Sequence, residues 1–108
     1  MSRAFHLKKE FPDIAEEIEA LLKTEGELEL ASQLEDLHIV DRCRCGESQC
    51  ATMYTVPRPD GPWGINHDGI SLPFSNGMIN IDTVGKKIVC LEVLDRNKVR
   101  NKLKKLMP

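Results

Sequence analysis

An excess of charge of either sign is missing from this chain. Over 108 residues, 15 Lys and Arg face 17 Asp and Glu, a formal net charge of −2. So balanced a chain lacks the overall basic footprint of a nucleic-acid binder, and no nucleic-acid partner is expected. No apolar run approaches the roughly 18 residues of a membrane span. The opening Met-Ser-Arg-Ala-Phe-His has no apolar stretch of signal-peptide type, so a soluble, cytoplasmic protein without a membrane partner is the expectation. Also missing are a Gly-rich phosphate loop, a His-Glu-x-x-His pair and a Ser in a nucleophile elbow. Each would have pointed to a reaction, and without them an enzyme is not expected. Internal repeats and low-complexity tracts are absent as well.

What remains is one domain's worth of chain, 41% hydrophobic and 30% charged, enough to fold around a single core. The charge is segregated: residues 1–50 hold 6 Lys/Arg and 12 Asp/Glu, whereas residues 95–108 hold 6 and 1. The two ends can neutralise one another across the fold, or each can face a partner of opposite sign.

Pro12 suits a first helical turn and Gly26 a stop, so residues 12–24 are expected to be helical, with Ile14, Ile18, Leu21 and Leu22 as the apolar stripe. Residues 27–36 suggest a shorter helix. From His38 the pattern becomes β: residues 38–43 and 51–56 form a natural hairpin. A long Pro/Gly-rich loop spans 57–70, with three Pro and three Gly in residues 57–69. Asn76-Gly77 fits a two-residue type I′ turn, which would set Phe74 opposite Ile79 and Leu72 opposite Ile81, all four on the core side. Pro73 marks an edge strand. Lys87–Leu94 reads as a central strand, with Val89, Leu91 and Val93 on one side and Ile88, Cys90 and Leu94 on the other. Asp95 fits the cap of a last helix over 95–106, with Val99, Leu103 and Leu106 inward. The expected class is α+β: a mainly antiparallel sheet of four to five strands, a β-meander, with two N-terminal helices and one C-terminal helix packed on it.

The most informative stretch is Cys43-Arg44-Cys45-Gly46-Glu47-Ser48-Gln49-Cys50, where three of the chain's four cysteines fall within eight residues. With residues 46–49 in a hairpin loop, Cys45 opposes Cys50 and Cys43 lies two residues back on the same face, so the three sulfurs converge. Three outcomes stay open. The thiols are inert, they hold a metal such as zinc, or they form a disulfide or redox pair in which Arg42 and Arg44 lower a thiol pKa. A tetrahedral zinc would need a fourth ligand from Cys90, His38, His67 or Asp68, and the two-residue spacer of thioredoxin-like motifs is absent. A Cys–His nucleophilic pair using His67 or His38 cannot be placed from spacing.

Asp41-Arg42-Cys43-Arg44-Cys45-Gly46, Cys50, Tyr54-Thr55, Gly77-Met78-Ile79 and Val93-Leu94-Asp95-Arg96 resemble a family of small bacterial proteins. Its members share a Cys-x-Cys-Gly-x3-Cys hairpin, a Tyr-Thr strand and a strand leading into a helix. The resemblance spans residues 38–100, leaves Cys90 outside the shared pattern and carries no activity with it. In size and charge alone, the chain also resembles immunity proteins encoded beside bacterial polymorphic toxins. That likeness implies a non-enzymatic, antitoxin-like inhibitor that covers a basic toxin domain. The sheet-and-loop residues Asp60, Trp63, His67 and Asp68 would make contact. The acidic helix residues Glu16, Glu17 and Glu19, with Glu27 and Glu29, would steer the encounter.

Overall fold

Helix formation in the front half follows the expected signals. In a computed structural model, which describes residues 4–57, 59–72 and 77–108, helix α2 runs Pro12–Thr24, the span that Pro12 and Gly26 delimit, and Gly26 stops it at φ +79°. Ile14, Ala15, Ile18 and Leu22 are buried along one side, and Leu21 packs against them half-buried. Ahead of it lie strand β1 (Phe5–His6) and the one-turn helix α1 (Leu7–Glu10), too short to show a period in sequence. Helix α3 (Leu28–Gln33) continues into a 3₁₀ turn, Leu34–Asp36. Leu30, Ala31 and Leu34 face the core, while Leu28 stays exposed.

Six more strands follow among the described residues, and with β1 they make two sheets. Strand β2 (His38–Ile39) pairs antiparallel with β1 in a two-stranded ribbon. The rest, β3 (Asp41–Arg42), β4 (Met53–Tyr54), β5 (His67–Leu72), β6 (Met78–Val84) and β7 (Lys87–Leu94), form one antiparallel sheet in the order β3-β4-β7-β6-β5. The class is α+β, with helix α4 (Asn97–Leu106) completing it. Three details depart from the expected meander. The 38–43 segment divides after Ile39 between the two sheets, because Ile39 is fully buried while Asp41 and Arg42 turn to β4. Only β5-β6-β7 is a sequential meander; the β3-β4 hairpin docks on the other edge of β7. The long loop ends earlier than expected, since β5 already begins at His67 and pairs with Val84. As an edge strand, β5 tolerates Gly69 and the exposed His67 and Asp68.

Register brings two more corrections. Leu72 pairs with Ile79 and Ile70 with Ile81, two residues away from the pairing a two-residue Asn76-Gly77 turn imposes. A shift of two preserves the face, and Leu72, Ile79 and Ile81 are all buried as expected. The expectations for Pro73, Phe74, Ser75 and Asn76 lie outside the described residues. The two-residue hairpin turn sits instead at Gly85-Lys86, both at positive φ (+57° and +67°), between the paired Val84 and Lys87.

In β7 the pairing slips between Asp82 (opposite Cys90) and Thr83 (opposite Ile88), leaving Val89 as the extra residue of a bulge. The bulge changes the phase of the alternation. Ile88, not Val89, joins Leu91 and Val93 in the core, and Cys90 faces away from it beside Asp82. Asp95 is not a helix cap: it adopts φ +61°, its amide donates to the Gln49 carbonyl (3.0 Å), and α4 begins two residues later. A sharp exit from β7 needs a left-handed residue, a conformation Asp accepts better than most. Leu103 is buried, and Val99 and Leu106 pack half-buried beside it as expected. Among the described residues, no helix is long and apolar enough to cross a membrane.

Candidate functional site

The helices cover one face of the five-stranded sheet, and the cysteines lie on the other. Asp41 opposes Tyr54 and Arg42 opposes Met53; the Cys43 amide then donates to the Thr52 carbonyl (2.9 Å). Continued outward, that register sets Cys45 against Cys50, as the hairpin reading predicts. Met53 is buried on the core side, so Thr52, Tyr54 and Cys43 point to the outer face. Between the strands, Gly46 takes φ +84°, and the Cys50 amide closes a turn onto the Glu47 carbonyl (3.2 Å). The Ser48 carbonyl accepts from Arg100 on α4, and Cys50 bridges to Leu94 of β7. The loop is therefore tied to both α4 and the central strand.

The sulfurs of Cys43, Cys45 and Cys50 all lie within 4.8 Å of one another. Convergence of this kind creates a shared proton problem. Burial, together with the neighbouring Cys45, pushes the Cys43 thiol up to about 11. Cys45, the exposed member, is held below its ordinary value by the Glu47 amide and by hydrogen bonds from Cys43 and Cys50. Cys45 is therefore favoured over Cys43 to carry the anion, with the thiols of its neighbours donating to it. Cys50 also donates to the Thr52 hydroxyl (3.3 Å).

Of the expected fourth ligands, none joins this group among the described residues. Cys90 faces the same side from β7, nearly buried at 3% exposure, and burial raises its thiol, which is bonded to Asp82. His38 Nδ1 donates to the Asp36 carbonyl (2.8 Å), and the ring stands edge-on to His6 in the small ribbon. Asp68 caps its own neighbour, the Gly69 amide (2.9 Å). His67 meets Asp82 (Nε2 to Oδ1, 2.9 Å).

A cleft of about 520 Å³ opens beside the cysteines, bordered by Tyr54, Trp63, Asp82, Cys90 and Glu92. Trp63 is half-buried and lies tilted against Tyr54, ring centroids 6.3 Å apart. The structure thus brings Trp63, and His67 through Asp82, to the cysteine side. It leaves Asp60 exposed in the loop. The acidic residues Glu16, Glu17 and Glu19 stay on α2, where Glu17 pairs with Arg96 (2.9 Å) and Glu19 with Lys8 (3.6 Å). Sequence reasoning missed Tyr54, Asp82 and Glu92. Their signal was alternation: Asp82 between Ile81 and Thr83, and Glu92 between Leu91 and Val93, are polar positions flanked by core residues.

No protein-family model, curated protein or solved structure matches the chain. The likeness to Cys-x-Cys-Gly proteins therefore rests on its motif residues alone.

Proposed function

We propose that the protein is a metal-binding module that holds a thiophilic divalent ion, zinc above others, through the thiolates of Cys43, Cys45 and Cys50. The convergence of the three sulfurs within 4.8 Å carries this reading. A tetrahedral zinc with bonds of about 2.3 Å sets its sulfurs about 3.8 Å apart, so the cluster needs only a small contraction. Soft thiolates favour zinc over magnesium or calcium. The Glu47 amide bonded to Cys45 already supports one thiolate, and Arg42, Arg44 and Lys104 border the cluster on a second side, offsetting the negative charge that three thiolates bring.

The test is elemental analysis with thiol titration on protein prepared without chelator. About one zinc per chain with only Cys90 left as a free thiol supports the reading, whereas four titratable thiols and no retained zinc after incubation with the metal would sink it. Cover of a basic toxin domain is the weaker reading, since two carboxylates of its steering face, Glu17 and Glu19, are engaged within the chain.

A further inference from the structure

The inference below rests on the metal reading and concerns the coordination position that the three cysteines leave over. We propose that this position takes an exchangeable small-molecule thiol from the outer-face cleft, with an aminothiol, cationic at its far end, preferred.

Three ligands come from one hairpin, and among the described residues no fourth His, Cys, Asp or Glu stands with them. A site with three protein ligands keeps a position for solvent or an exogenous ligand. Beside it lies the cleft of about 520 Å³, within the size range of small-molecule sites. A centre already bound by three thiolates favours a further soft donor.

Charge selects the rest of the ligand. Four thiolates on a divalent ion leave a charge of −2, and the cleft adds Asp82 and Glu92, with no Lys or Arg among the described residues of its lining. Glu92 is half-buried, and Asp82 shares an oxygen with His67. Tyr54 and Trp63 also line the cleft, and aromatic rings attract an ammonium group. The lysine and arginines near the cluster, Lys104, Arg42 and Arg44, border a smaller depression of about 230 Å³ on the other side of the three cysteines, which it shares with the cleft. In the exchange, the incoming thiol releases its proton to solvent, its sulfur forms the metal–sulfur bond, and the solvent molecule leaves. No electrons are transferred.

Cobalt(II) loaded into the full chain tests both levels. A sulfur-to-cobalt charge-transfer band lost in the triple Cys→Ser variant reports the metal site itself; its absence from the parent chain removes the metal reading, and this inference with it. The loaded protein is then titrated with cysteamine, 2-mercaptoethanol and mercaptoacetate, following the band and the cobalt retained after desalting. The expected result is a stronger band with cobalt fully retained. Cysteamine should bind roughly tenfold more tightly than mercaptoacetate, with the neutral thiol between them. Glu92→Gln and Asp82→Asn should each flatten that order, and the Glu92 variant suffices if the other fails to fold. An unresponsive band with cobalt retained means that the chain fills the position and overturns the inference. Loss of cobalt to the thiol does the same, as does preference for mercaptoacetate, which would place the open side at Arg42, Arg44 and Lys104.

Discussion

Strands β6 and β7 send Ile79, Ile81, Leu91 and Val93 to one face of the sheet and Asn80, Asp82, Cys90 and Glu92 to the other. The first set is fully buried, at 0% exposure, beneath α2 and its neighbours. Much of the second borders a cleft with three cysteines at its rim. One backbone therefore serves two surfaces with different physics. Apolar area removed from water holds the inner face together at roughly 25 cal/mol per Å², whereas the outer face has polar atoms held close without full compensation, the buried Asn80 Oδ1 among them. The lesson is that stability and chemistry are separable here, residue by adjacent residue.

The strongest test of that separation is Leu91→Ala, which opens a cavity in the closed face. It should cost about 2 to 5 kcal/mol in denaturant unfolding, while Leu94→Ala, the half-buried outer-face leucine, should cost less than about 1.5 kcal/mol. If the two costs come out equal, the faces are not distinct. Next in size is metal removal. A chelator should lower the stability of the metal-loaded parent by about 2 to 3 kcal/mol if the ion was present at about a hundred times its dissociation constant. The triple Cys→Ser variant should not respond to chelator at all.

Backbone geometry separates a packed glycine from an open one. Gly77 and Gly46 share φ +84°, but a Cβ on Gly77 would lie 2.5 Å from the Leu94 carbonyl oxygen, and one on Gly46 would meet nothing. Gly77→Ala should therefore cost about 2 kcal/mol or more, and Gly46→Ala about 1 kcal/mol, both read from thermal or denaturant melts.

For metal-free protein, pH sharpens the account of the outer face. Cys43 is raised from 9.0 to about 11, so the folded chain keeps a proton that the unfolded chain releases. Its stabilising contribution is complete below about pH 9 and is lost as pH climbs toward about 11, a decline that Cys43→Ser should reduce in midpoint-against-pH curves. Cys45 behaves oppositely: its favoured anion contributes above its ordinary value and is lost as pH falls through its lowered one. Alkylation followed by mass spectrometry should accordingly label Cys45 first and the buried Cys90 last. The smallest effect is expected at the surface pair of Glu17 and Arg96, where Glu17→Gln should change stability by less than about 1 kcal/mol.

Much of this comparison was legible in the chain. Ile79 and Ile81 alternate with Asn80 and Asp82, and that alone assigns each to a face. Cys45 opposite Cys50 followed from the hairpin, and the observed pairing of Asp41 with Tyr54 continues that register. In β7 the alternation placed Cys90 rightly on the face away from Leu91 and Val93 but misled at Ile88 and Val89, because the bulge at Val89 puts Ile88 in the core. A bulge depends on how two strands twist against each other, and a single strand's residues do not record it. Asp95 resembled a cap for a similar reason: a side chain that caps helices also tolerates left-handed backbone, and the anchor to Gln49 chose between them.

Local signals alone determined helix α2 between Pro12 and Gly26, the inward faces of α4 and β6, and the meeting of three sulfurs on one short hairpin. All depend on neighbours within a few residues, where helical and strand periods act directly. Tertiary structure decided that β7 would stand between the cysteine hairpin and the β5-β6 pair, and so that Asp82, Glu92, Tyr54 and Trp63 would gather beside those sulfurs. Strand order and loop docking follow from the burial of distant side chains against one another, and no spacing within a segment encodes which distant segment it will meet.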